Sequence, residues 1–204
     1  TSPLMFPPTT VRGPFVVALI ATHQRPTFLR RALDSVAAQT RPPDVVVVVQ
    51  DASQVDDGVE RLVRDSLARN TSLLLGNRRT PGAAGAWNSG IDEVARLYAP
   101  AHAVYIAVLD DDDWWDREHV EACLDQATTL DADIVAVGLV RHDDTHREGR
   151  QQEPPAALDA QLALVQNPHI QGSNLFVKLS TLLEAGMFDE SLRSTTDRDL
   201  FIRL

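Results

Sequence analysis

The sequence predicts an α/β domain with a mainly parallel sheet flanked by helices, and three observations support this. The apolar runs Phe15–Ala21 and Val45–Val49 are continuous rather than alternating, as strands buried on both faces require. Segments of helical period separate these runs from one another and from later strand-like stretches. Separations of that length suit crossovers between parallel strands, not hairpins.

Taken in order, residues 1–14 contain several prolines and no period, and read as an extended arm before a single domain over 15–204. Pro26 can open a helix. Phe28, Leu29, Ala32, Leu33 and Val36 continue it with helical spacing until Arg41-Pro42-Pro43 stops it. The five valines at 45–49 are β-branched and flanked by breakers, which favours a strand. There follow a helix over Val59–Leu67, a strand over Ser72–Leu75, a glycine-containing loop over Gly76–Gly85 and a helix over Ala86–Leu97. Next come a strand over Ala103–Leu109, a helix over Arg117–Leu130 and a strand over Asp133–Val140. His142–Pro155 is polar, charged and aperiodic, and is expected to be a long surface loop. Asn174–Val177 reads as a strand and Leu179–Ala185 as a helix. The chain stops inside a last helical pattern, Asp197–Leu204, so the native protein is expected to continue, with this domain as one module of a longer chain.

The 204 residues are 44% hydrophobic and 24% charged, with a formal net charge of −10. That acidity argues against nucleic acid as a partner, because phosphate-binding domains are usually basic. An acidic protein that binds an acidic nucleotide needs a counter-charge, and a divalent cation is the usual one. The single Cys123 allows no internal disulfide and points to a reducing, cytoplasmic compartment. No apolar stretch approaches the length of a transmembrane segment, and no secretory signal is visible.

The strongest chemical feature is Asp110-Asp111-Asp112-Asp113, directly after a predicted strand. Ligands of open parallel sheets bind at the carboxyl ends of strands. Four adjacent carboxylates repel one another, and Mn²⁺ or Mg²⁺ would relieve that repulsion and could bridge to a diphosphate. The plainer alternative is a solvated acidic loop at a helix N-terminus. Trp114-Trp115 follows, suited either to stacking on a sugar or base or to core packing. Asp51 ends the second strand, where it could accept a base N–H or make a turn. Thr22-His23-Gln24-Arg25 lies at the equivalent end of the first strand. Asn77-Arg78-Arg79 with Gly82 and Gly85 precedes a helix, a setting that suits an anion, although no Walker A loop is present. Asp197 could serve as a general base or cap its helix.

The order of these features along the chain resembles the family 2 glycosyltransferases. The matching blocks are Val17–Arg25 with Ser35–Gln39, Val47–Ser53, Gly82–Ile91, Val108–Trp115, and Gly172–Asn174 through Gly186–Glu190 to Thr196–Leu200 and Arg203. The resemblance implies a GT-A (Rossmann-like) fold of the nucleotide-diphospho-sugar transferase type, expected to be truncated here at its C-terminal end. It implies a metal-dependent, inverting transfer from a nucleotide-sugar, UDP-linked first of all, to a hydroxyl acceptor that the sequence does not identify. By position it places Thr22, His23, Arg25, Asp51, Gly85, Asn88, Asp110 and Asp111 around the donor nucleotide. Asp112 falls on the ligand of Mn²⁺ or Mg²⁺, and Asp197 on the catalytic base. The chain departs from the family at His23 (commonly tyrosine), Gln50 (commonly acidic) and Thr196 (commonly glutamate). A nucleotide-sugar binding module without turnover is the main alternative. A sugar nucleotidyltransferase would carry a glycine-rich, lysine-bearing signature near the first strand, and this chain has His23-Gln24-Arg25-Pro26 there and only one lysine, Lys178.

Overall fold

A computed structural model describes residues 13–99, 103–143, 146–153, 161, 164 and 169–204. Nearly all of the expected N-terminal arm lies outside the described residues. The elements run β1 (Phe15–Thr22), α1 (Pro26–Ala37), β2 (Val45–Gln50), α2 (Asp57–Ser66), β3 (Ser72–Gly76), α3 (Ala83–Tyr98), β4 (Val104–Asp110) and α4 (His119–Thr129). There follow β5 (Ile134–Ala136), β6 (Leu139–Asp143), β7 (His146–Gln152), β8 (Leu175–Lys178), α5 (Leu179–Glu184) and α6 (Thr196–Arg203).

Six strands form one sheet in the order β3-β2-β1-β4-β8-β5. β1 pairs in parallel with both β2 and β4, through Leu19 with Val47 and Val108, and every residue of β1 is buried. Alternate side chains of β1 therefore feed two cores. Phe15, Val17 and Leu19 pack with Ile91 and Val94 of α3, while Val16, Ala18 and Ile20 pack with Leu29 and Leu33 of α1 and Val120 of α4. The buried face of α1 is Leu29, Ala32, Leu33 and Val36, the spacing of one helical stripe. The sheet is mainly parallel, as expected, with β8 inserted antiparallel between β4 and β5.

Two expectations need correction. The strand expected over Asp133–Val140 is broken at Val137-Gly138, and β5 stays in the main sheet while Leu139 starts a separate ribbon. The polar stretch expected as a loop is, over residues 142–143 and 146–152, part of a β6–β7 hairpin in which Arg141 faces Arg150. This ribbon packs into neither core, so its strands show no apolar alternation. The break is clamped by Asn174, whose backbone oxygen accepts from Val137 N (3.2 Å) and whose side chain donates to Val137 O (2.7 Å). α3 also starts earlier than expected, at Ala83 rather than Ala86.

The strand order reverses between β1 and β4, and such a switch point leaves a crevice at the carboxyl ends of the two strands. Ala21 of β1 lies in register with Asp110 of β4, and Thr22 with Gln50 of β2.

Candidate active site

A cleft of about 450 Å³ opens over these strand ends. β1 supplies Thr22, with His23 and Arg25 just beyond it. β2 is followed by Asp51, and β4 leads into Asp110, Asp111 and Asp112.

The Asp51 end of the cleft is cross-braced. Asp51 N donates to Thr22 O (2.8 Å), joining two strand ends. The Asp51 carboxylate accepts from Asn77 Nδ2 (2.7 Å) and from Gly82 N (2.9 Å), which ties the β3–α3 loop to β2. Each carboxylate oxygen can accept more than one hydrogen bond, so Asp51 retains capacity for a ligand N–H. His23 Nδ1 donates to the Asp51 carbonyl oxygen (3.2 Å), while the imidazole stays largely exposed. Gly82 has φ +123°, a backbone region that L side chains rarely adopt. At Gly85 a Cβ would collide with the Thr80 carbonyl oxygen, so Gly85 sets how closely α3 approaches the loop. Gln50 accepts from Asp56 N (2.9 Å) and so supports the residue whose carboxylate caps α2.

The acidic run divides sharply. Asp111 is buried and accepts from Thr22 Oγ1 (2.8 Å), His23 N (3.3 Å) and Arg25 (3.3 Å). It locks the β1 end, gathering Thr22, His23 and Arg25 on one carboxylate. Asp112 is half-exposed, and Arg25 places its guanidinium on Oδ2 (2.8 Å). Asp110 N donates to Ser173 Oγ (3.0 Å). Burial, then the charges of Asp113 and Asp112, push the Asp110 carboxyl up to about 7, and the Ser173 hydroxyl opposes this. The pair of tryptophans also divides. Trp115 is buried with Nε1 donating to Ser173 O (3.1 Å), whereas Trp114 is 38% exposed.

A hard divalent cation fits this chemistry. The donor set is all oxygen, Asp110 is penalised when charged, and a cationic guanidinium already rests on Asp112. Among the described residues, no three His, Cys, Asp or Glu side chains form a ready-made cage. Mg²⁺-type sites commonly use one or two carboxylates and take their remaining ligands from water and substrate phosphates.

Asp197 lies in the first turn of α6, with Oδ1 accepting from Arg198 N (2.8 Å). Burial raises its pKa, and its charge is felt at Asp110. Asn88, expected beside the donor, lies on the buried side of α3. It is buried, its Nδ2 donates to Phe188 O and Glu190 Oε1 (2.8 Å each), and its Oδ1 accepts from Phe188 N (3.1 Å). With its amide spent on the segment before α6, Asn88 braces that segment. Glu190 also takes Arg79 (2.8 Å) and Thr80 N (3.1 Å), joining the glycine-rich loop to the chain that leads to Asp197. Sequence reasoning gave no role to Asn77, Ser173 or Glu190, although all three sit in stretches it singled out. Cys123 is buried on α4, and burial pushes its thiol up to about 12.

The sheet order and the cleft at its strand ends define an open, mainly parallel α/β domain with helices on both faces. Solved structures share it. The TarS 1–349 structure from S. aureus in complex with UDP-GlcNAc aligns with TM-score 0.71 at 16% identity, over 93% of this chain and 52% of that one. The mannosyltransferase PcManGT from Pyrobaculum calidifontis, in complex with GDP-Man and Mn²⁺, aligns with TM-score 0.64 at 20% identity, over 98% of this chain and 54% of that one. The family model described as glycosyl transferase family 2 matches residues 17–184, and the chain belongs to that family.

Among curated relatives, the succinoglycan biosynthesis protein ExoW of Rhizobium meliloti is 36% identical over 113 residues, which is 54% of this chain and 33% of that protein. The galactofuranosyltransferase GlfT1 of Mycobacterium tuberculosis is 38% identical over 98 residues, 48% of this chain and 30% of that protein. The match thus spans about a third of the length of these relatives. Among the described residues, no helix is long and apolar enough to cross a membrane.

Proposed function

We propose that this chain is the donor-binding core of a metal-dependent, inverting glycosyltransferase that moves a sugar from a nucleotide-sugar to a hydroxyl acceptor. The convergence of Asp51, Asp110 and Asp112 in one cleft at adjacent strand ends carries this reading. Asp51 accepts a base N–H, with the His23 imidazole beside it. Asp110 lies toward the ribose, and Asp112 is the protein's ligand to Mn²⁺ or Mg²⁺. When bound, the ion offsets charge on the departing diphosphate. Asp197 removes the proton of the acceptor hydroxyl, and its raised pKa makes it a stronger base than an ordinary carboxylate. Direct displacement by that hydroxyl inverts the anomeric carbon.

UDP is the leading nucleotide, supported by the UDP and UDP-GlcNAc complexes of TarS, and GDP is the next choice, supported by PcManGT. Thermal shifts with UDP-, GDP- and dTDP-sugars, each with Mn²⁺, Mg²⁺ or chelator, test the assignment, since ligands that bind the folded state raise Tm. The largest rise is expected for a UDP-sugar with Mn²⁺. An equal rise with chelator would remove the role given to Asp112. Thr196, at a position where the family commonly has glutamate, favours a second reading, a nucleotide-sugar binding module. Donor binding with neither hydrolysis nor transfer by the full chain would establish it.

A further inference from the structure

A second cleft, of about 630 Å³, lies on the other side of the acidic run. It shares Asp110 and Asp112 with the first and adds Asp113 on the same side, so the two meet at this acidic edge. Its far wall differs in charge and chemistry from the rest of this acidic protein. Arg31 of α1, Arg141 and His142 of β6, and the amides of Gln152 and Gln171 line it, with Trp114 as an aromatic shelf.

Among the described residues, neither Arg31 nor Arg141 is paired with a carboxylate. The Arg31 guanidinium lies 3.9 Å from the centroid of the exposed Trp114 ring and 5.7 Å from that of Phe28, and donates to the Asp112 carbonyl oxygen. Among the described residues it has no carboxylate within ion-pair distance. The His142 ring lies against Trp114, with centroids 5.0 Å apart. Arg141 sits directly opposite Arg150 across the hairpin, and like charges in that position cost stability. An anion held by Arg141, the member of the pair that lines the cleft, would offset that repulsion.

We propose that this cleft is the acceptor subsite and that it takes a saccharide carrying an anionic group, a carboxylate or a phosphate. The sugar ring stacks against the exposed part of Trp114, with the anion toward Arg141 and Arg31. The acceptor hydroxyl then points toward Asp110, a carboxylate near enough to Asp197 to feel its charge, where the donor's sugar end would lie. This rests on the donor reading above. It adds the chemical class of the acceptor, which the family assignment leaves open.

The test uses the full chain with UDP and Mn²⁺ present, and measures binding of three saccharides by calorimetry: a uronic acid disaccharide, a glycosyl phosphate and a neutral disaccharide. One charge-assisted contact should make at least one anionic probe bind about tenfold more tightly than the neutral one. The tighter of the two anionic probes identifies the group as carboxylate or phosphate. Arg141→Gln should erase most of that preference, and Arg64→Gln on the distant α2 should keep it. Added salt should narrow the preference in the unaltered protein, a result that does not depend on any variant folding. Equal binding of charged and neutral probes while UDP still binds would overturn the subsite and leave the donor reading standing. Failure of UDP itself to bind would overturn the donor reading instead.

Discussion

At one end of the donor cleft, Asp51 is tied down by Asn77 and the Gly82 backbone, and its surroundings are closed by glycines that allow close approach. At the other end, Asp112 is half-exposed and, among the described residues, is met by the guanidinium groups of Arg25 and Arg31. The first end is pre-organised, and on the proposed function it presents an acceptor already aimed at a base. The second carries a carboxylate that guanidinium groups meet, and on the same proposal a cation and a diphosphate complete it. Shape is built into the base end, and the reacting end is left for the ligand to finish.

Breaking the reacting end should have the largest effect. Asp197→Asn is expected to lower transfer roughly 10²–10⁴-fold, the usual contribution of general-base catalysis, with UDP affinity unchanged. The same variant should melt at a higher temperature at neutral pH. The folded pKa of Asp197 lies above its unfolded value, so its contribution to stability is fully present at acid pH and is lost as pH rises through the folded pKa. The advantage of the asparagine variant should therefore grow with pH across that window. For the same reason the acid limb of kcat/KM should lie above the ordinary aspartate range. Full transfer by Asp197→Asn would remove the base from this position.

Neighbouring carboxylates give the next contrast. Asp112→Asn should abolish the Mn²⁺-dependent part of the thermal shift and leave the metal-free Tm nearly unchanged. Asp111→Asn should behave the opposite way. It weakens the charged acceptor for Thr22, His23 N and Arg25, with a loss of about 1–3 kcal/mol in denaturant unfolding and a retained Mn²⁺ response. At the base end, Gly85→Ala should cost about 1–3 kcal/mol, because the Thr80 carbonyl must move. UDP affinity should fall with it as Asp51 loses its brace. The smallest effect is expected from Arg25→Gln. Removing the guanidinium from half-exposed Asp112 should raise Mn²⁺ affinity without nucleotide by no more than about fivefold, the scale of an exposed ion pair. Electron paramagnetic resonance of free Mn²⁺ would read this, and a fall in affinity would make Arg25 a supporter of the metal rather than its stand-in.

The same contrast explains what the sequence revealed. β1, β2 and β4 were legible because strands buried on both faces must be apolar throughout, and their ends brought Thr22, Asp51 and Asp110 together. The β6–β7 hairpin was hidden because a ribbon outside both cores needs no hydrophobic period. The early start of α3 was hidden because Gly82 and Gly85 look like loop residues until Thr80 is seen against the helix. Motif order named Asp111 and Asn88 with their neighbours but could not say which partners would claim them. That depended on Thr22 lying 89 positions from Asp111 and Phe188 lying 100 positions from Asn88. Contacts of that range appear only once the sheet is assembled.

The Asn174 clamp on Val137 has a consequence for how such a domain diversifies. It closes the neck of the excursion between β5 and β8, so the sheet meets the same two anchor points whatever lies between them. Lengthening a closed loop is thermodynamically inexpensive, about 0.6 kcal/mol for each doubling. The excursion can therefore be rewritten, exchanged or extended as a cassette, while Asn174 keeps the strands beneath it in register.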